Sequence, residues 1–195
     1  ILLPLAGGLI VGPLVYFLAR EAKGHGVPEV MQAIALKNGV IRPRVVGVKS
    51  VASAITISTG GSVGQEGPII QVGSALGSTI GQLLKVSPDR LKVLVGCGAA
   101  AGIAATFNAP IAGAFFALEI ILGNFAITSF SPIVISSVLA TVISRAFLGN
   151  SPIFIVPQYS LISSYEIPLY MALGIVCGFA ALAFTMSIYA GEKFF

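Results

Sequence analysis

Ser62-Val63-Gly64-Gln65-Glu66-Gly67-Pro68-Ile69-Ile70 is the stretch on which the fold turns. Glu66 is the only formally charged residue between Lys49 and Lys85, and the sequence around it is apolar enough to be lipid-embedded. An ionisable side chain in that setting is costly unless something uses or compensates it, so it reads as functional by default. Gly64 and Gly67 let the backbone turn sharply, and Pro68 marks a helix start. Glu66 is thereby presented at the positive end of a helix.

Composition agrees with a bilayer setting. Of the 195 residues, 56% are hydrophobic and 9% charged, with a mean hydropathy of +0.98. A soluble domain carries about a quarter charged residues. The formal net charge of +4 is no nucleic-acid signal, because the cations fall in short clusters between apolar runs. Arg20 with Lys23, Lys37 through Lys49, and Lys85 through Lys92 read as punctuation at the membrane surface. Cys97 and Cys177 lie inside apolar runs and read as buried small hydrophobes, not as a disulfide or metal site. The chain begins without Met inside one apolar run, with no basic leader, and ends soon after another. A piece of a larger membrane protein is expected.

Helical segments are predicted over residues 2–19, 27 to about 36, 45–59, 68–84, 91–106, 111–122, 126–147 and 167–190. A full span takes roughly 20 residues, and several of these are shorter. Short helices divided by Gly/Pro breaks point to discontinuous, cavity-lining segments of the kind transporters use, because non-helical backbone at membrane depth survives only beside protein or water. No low-complexity linker divides the chain, so a single all-α membrane domain over residues 1–195 is predicted.

A second turn repeats the grammar of the first. In Gly24-His25-Gly26-Val27-Pro28, glycines surround one distinctive side chain and a proline opens a helix. Amides at such a start have no intrahelical partner and, with the helix dipole, attract anions. Two such turns converging on one point would make an anion site without any full cationic charge. Such a site can strip an ion of water and still release it. A carboxylate aimed at the same place is a competing anion. Deprotonated, Glu66 occupies the ion's position; protonated or swung aside, it opens the path. Farther on, residues 96–110 are rich in small side chains, and Gly73, Gly77 and Gly81 form a stripe at i+4 spacing that reads as helix packing.

These residues resemble the CLC family of chloride channels and proton-coupled chloride exchangers. Residues 24–29, GHGVPE, are similar to the family's GSGIPE motif, and residues 64–68, GQEGP, to its GREGP or GKEGP motif. Residues 107–113, FNAPIAG, followed by a glutamate in an apolar helix, resemble its next segment. The likeness runs through nearly the whole chain. It implies a multi-helix fold of short, broken, tilted helices, the first of two inverted-topology halves, without the most N-terminal helix and without the second half. It also implies that Glu66 is the gating glutamate. The anion pathway would involve Gly24, His25, Gly26, Val27, Pro28, Gly64, Gln65, Gly67, Pro68 and Ile69, with the amides around Gly26, Val27, Gly67 and Ile69 facing it. A homodimer with one pathway per subunit, in the cell membrane and in contact with lipid, is implied as well.

Three departures from the family pattern carry expectations. His25 stands where most chloride-selective members have Ser, at a position that tunes selectivity. Gln65 replaces a basic residue and should affect conductance more than mechanism. Ile120 follows Glu119 where proton-coupled members commonly have a second glutamate as a relay. An isoleucine supplies no titratable group, so the expectation leans toward passive, voltage-gated chloride conduction, with proton-coupled exchange of chloride or another anion such as fluoride or nitrate as the alternative.

Plainer readings stand beside these. Glu66 could be a cap or a buried hydrogen-bonding partner. His25 could face solvent at the membrane surface as readily as an ion. Glu119 has no identifiable partner and reads as structural. Tyr159, Tyr165 and Tyr170 read as an interfacial belt. A membrane-embedded enzyme would need a nucleophile and base or paired aspartates. Ser62 with His25 is the sole conceivable pair, and Asp89 the sole aspartate. No catalytic residue, metal ligand, cofactor or nucleic-acid partner is expected.

Overall fold

The computed structural model describes residues 2–150 and 163–194, with the side chains of 192–194 set aside. Every regular element among them is helical: α1 (Leu2–Leu18), α2 (Val27–Leu36), α3 (Arg44–Ser58), α4 (Glu66–Leu83), α5 (Pro88–Phe107), α6 (Pro110–Phe116), α7 (Ile127–Leu148) and α8 (Glu166–Phe194). A 3₁₀ turn, Arg20–Ala22, precedes α2, and a π-helical segment, Ala117–Leu122, continues α6. The chain divides into two compact units, residues 1–155 and 156–195. Among the described residues, Pro88–Phe107, Ile127–Leu148 and Glu166–Gly191 are long and apolar enough to cross a bilayer.

Proline sets the helix starts because its missing N–H is not needed in the first turn. α5 and α6 begin on Pro88 and Pro110, and Pro28 is the second residue of α2. α4 begins at Glu66, two residues earlier than predicted, since proline is still harmless at the third position. Glu66 is therefore the first residue of the helix and not part of the turn before it. The predicted segment 111–122 is not one α-helix: after Phe116 it widens into the π-helical segment that carries Glu119 and Ile120.

α4 and α5 form an antiparallel pair whose contact is backbone on backbone. A methyl added at Gly73 or Gly98 would run into the other's carbonyl, and one at Gly77 would strike the Leu94 carbonyl. The glycine stripe is thus a packing surface, and close approach replaces the hydrophobic drive that lipid does not supply. Gly98→Val is expected to split this seam. Neither rigid partner can yield, so overpacking should cost about 3 kcal/mol or more, seen as loss of a monodisperse peak in detergent.

α7 is tied to α5 and to the start of α6 through a ladder of hydroxyls. Ser136 donates to the Cys97 carbonyl (3.0 Å), Thr141 to Ala104 (3.3 Å), Ser144 to Ala105 (2.8 Å), and Ser137 to the carbonyl of Pro110. α2 lies along a polar stripe of α4. Ser78 donates to the Gly39 carbonyl (2.7 Å) and accepts from the Ile41 N–H (2.9 Å), and Gln82 donates to the Ile41 carbonyl (2.8 Å). These bonds fix α2 beside α4 with both N-termini at the same end.

Two cysteine expectations part company. Cys97 is buried in the α5 seam, whereas Cys177 is exposed, because unit 156–195 consists of one described helix with nothing of its own to bury a side chain against. Tyr165 is exposed, and the Tyr170 hydroxyl donates to Glu166 Oε2 at 3.0 Å. Tyr159 lies outside the described residues.

Candidate functional site

The turn before α2 is built by turning its carbonyls inward. Gln71 Nε2 donates to the Glu21 carbonyl (2.8 Å), and Lys49 Nζ donates to those of Ala22 (3.0 Å) and Gly24 (2.6 Å). Gly26 caps α2 at φ +111°, a conformation that side chains rarely adopt. Its N–H donates to Glu29 Oε2 at 2.7 Å, so this amide serves the cap and not a ligand.

The two turns meet. A Cβ on Gly26 would collide with the Gly67 carbonyl, and one on Gly67 with the His25 carbonyl. Only two glycines permit that approach, and it brings the starts of α2 and α4 to one point. Glu66 is exposed there, its carboxylate folded back over Gly64, where a Cβ would strike Oε2. A cavity of about 950 Å³ opens over the junction.

Of the residues expected there, Gly24, His25, Val27, Gly64, Glu66, Gly67 and Pro68 line the cavity. Gly26 lies buried behind it. Pro28, Gln65 and Ile69 are not in its wall, and the Ile69 N–H already donates to the Gln65 carbonyl at 3.1 Å. The amides left by position to face a ligand are those of Val27, Glu66 and Gly67. Ser62 and His25 share the wall, but among the described residues no hydrogen bond joins them. Ile120 lies elsewhere, on a second cavity of about 980 Å³ that also takes in Glu119, Asp89 and Lys92.

Beside the two helix starts, the cavity wall also carries residues with full positive charge. Arg20, Lys23 and Lys49 line the same wall as the single carboxylate of Glu66. Lys49 is also no surface punctuation: it is 6% exposed. Its stem lies in α3, and its ammonium is satisfied by two carbonyls and attracted by the Glu29 carboxylate. The signal was present, a lone cation inside the apolar run 45–59, and the rule that singled out Glu66 applies equally to it. Clustering with Arg42 and Arg44 in sequence hid it. Arg42 instead pairs with Glu21 at 3.0 Å, and Arg20 sits 4.6 Å over the Tyr16 ring. What the arrangement can do is hold a small anion between helix-start amides and fixed cations, in competition with one movable carboxylate.

The pattern of the voltage gated chloride channel family matches residues 7–195. A putative chloride channel protein of Ralstonia nicotianae, ClcB-like, is 36% identical over 92% of this chain and 43% of its own length. Chloride channel protein CLC-e of Arabidopsis thaliana is 37% identical over 94% of this chain and 26% of its own. The H(+)/Cl(-) exchange transporter ClcA of Vibrio parahaemolyticus is 32% identical over 93% and 40%. The solved structure of a slow cyanobacterial Cl⁻/H⁺ antiporter superposes with a TM-score of 0.76 at 27% identity, covering 87% of this chain and 41% of that one. The chain spans less than half the length of these relatives.

Proposed function

The chain belongs to the voltage gated chloride channel family, whose members are integral membrane transporters or channels, and we propose that it is the first of two inverted halves of a chloride pathway gated by Glu66. One observation carries this reading: the contact of Gly26 with Gly67, which puts two helix starts, their amides and the Glu66 carboxylate on one cavity wall. Partial charges and the fixed cations draw the anion in, and Glu66 competes for its place. The second half completes the pathway. We extend the proposal to pairing of two full-length copies in the cell membrane.

Proton-coupled exchange is the form of transport we favour. Relatives named as exchangers cover most of the chain, and the antiporter structure superposes on it. Ile120 supports the second reading, passive conduction, since it carries no proton. That support is reduced by its surroundings, because Glu119, one residue away on the π-helical segment, puts a titratable group on the same cavity.

The full-length protein in liposomes, given an outward chloride gradient and no proton gradient, is expected to drive protons uphill at a fixed ratio. Chloride flux without proton movement would establish the channel reading, and no flux of any anion would sink both.

A further inference from the structure

Two buried polar atoms among the described residues have no hydrogen-bond partner in the protein: Gln71 Oε1 and Ser74 Oγ. Their residues are 2% and 0% exposed. A buried acceptor or hydroxyl left alone is costly, and native interiors satisfy nearly all of them with protein or ordered water. Chance placement of two such atoms one helical turn apart on the same face of α4 is a poor account.

The face they share is the one that α2 covers. A Cβ on Gly26, at the start of α2, would lie 3.3 Å from the Cβ of Gln71, and Ser78 bonds Gly39 just beyond its end. α2 presents buried Val30 and Ala33, side chains with nothing to donate. Both ends of the stripe therefore find protein partners and its middle does not. The orientation of the Gln71 amide is not arbitrary. Its Nε2 donates to the Glu21 carbonyl at 2.8 Å, and a carbonyl can only accept, so Oε1 is necessarily the free end.

We propose that Gln71 and Ser74 hold one buried water molecule. Residues at i and i+3 on a helix have Cβ atoms about 5–6 Å apart, a gap that two hydrogen bonds of roughly 2.8 Å through a water oxygen can close. The water donates to Gln71 Oε1 and accepts from the Ser74 hydroxyl. Gln71 then donates to the Glu21 carbonyl, completing a polarised chain. That chain ends on the 3₁₀ turn that leads directly into Gly24 and His25, so Gln71 and Ser74 act as positioning residues for the anion turn. Both atoms are closed off within this chain, and no further segment needs to reach them.

Ser74→Ala in the full-length protein separates this from the plain alternative in sign. If Ser74 is merely an unsatisfied hydroxyl, or bonds back to the Ile70 carbonyl, alanine leaves the melting midpoint unchanged or raises it. If it anchors water, the midpoint falls by about 2–4 °C. In Gln71→Met/Ser74→Ala the second change should then cost less than it does alone, because the water it served is already gone. A high-resolution map should show a peak within hydrogen-bonding distance of both side chains. An unchanged or raised midpoint, or a map with Ser74 turned to Ile70 and no peak, overturns the proposal. One further consequence rests on the anion-site reading: half-saturating chloride should rise about threefold in Ser74→Ala, with maximal flux retained. A wild type that moves no anion defeats that reading alone, since midpoint and map still decide the water.

Discussion

Alanine at position 66 is expected to leave the full-length protein conducting chloride in liposomes while abolishing its proton movement. Glu66 is the first residue of α4, exposed on the cavity wall with its carboxylate over Gly64. Its removal deletes no buried contact, and the Gly26–Gly67 junction that shapes the site is backbone. The pathway should therefore survive. On the proposed gating role, what disappears is the carboxylate that competes for the ion's place, so chloride flux should stay level or rise. If exchange runs as proposed, with Glu66 passing the proton at that point, proton flux should drop at least about tenfold, the loss expected when a positioned acid/base group is removed. Glu66→Gln, which keeps shape without charge, should behave alike. Chloride flux abolished in a correctly folded Glu66→Ala protein would mean that the carboxylate is part of the conduit and not its gate.

Replacing Lys49 by methionine should do more damage. Methionine preserves the stem's packing in α3 but removes the ammonium that holds the Ala22 and Gly24 carbonyls. Those acceptors, turned inward beside Gly26, would lose their donor, and the Glu29 carboxylate would lose its nearby cation. Stranded buried partners cost about 1–3 kcal/mol each, so a loss of about 2–4 kcal/mol in stability is expected. The carbonyls could then rotate toward the cavity, placing negative dipoles where the anion needs amides. Half-saturating chloride should rise about tenfold or more, the amount a lost charge-assisted contact of ~1.5 kcal/mol implies. Thermal unfolding and isothermal chloride titration measure the two effects. A Lys49→Met protein that melts and binds chloride like the wild type would show that the buried charge neither holds the turn nor draws in the ion.

Much of the architecture was legible because its determinants are local. Prolines in first turns at 28, 68 and 110 mark helix starts through covalent geometry alone, whereas α5 starts on Pro88, three residues before the expected 91. The stripe of Gly73, Gly77 and Gly81 follows from helical periodicity. Boundaries were less secure. The α4 start slipped by two residues because proline tolerates upstream helix, and the widening at Ala117 has no proline or glycine to announce it.

The site divided in the same way. Glu66 stood out because nothing charged lies near it in sequence, whereas Lys49 was masked by Arg42 and Arg44, from which folding separates it. Sequence alone determined that this is an all-helical membrane chain with two glycine-proline turns and a lone carboxylate between them, since composition, periodicity and turn chemistry act over a few residues. Only the tertiary structure decided that the turns touch and that buried Lys49 holds one of them. Those facts depend on pairs separated by 25 to 50 residues, such as Gly24 with Lys49 and Glu21 with Gln71, brought together by packing that no local pattern encodes.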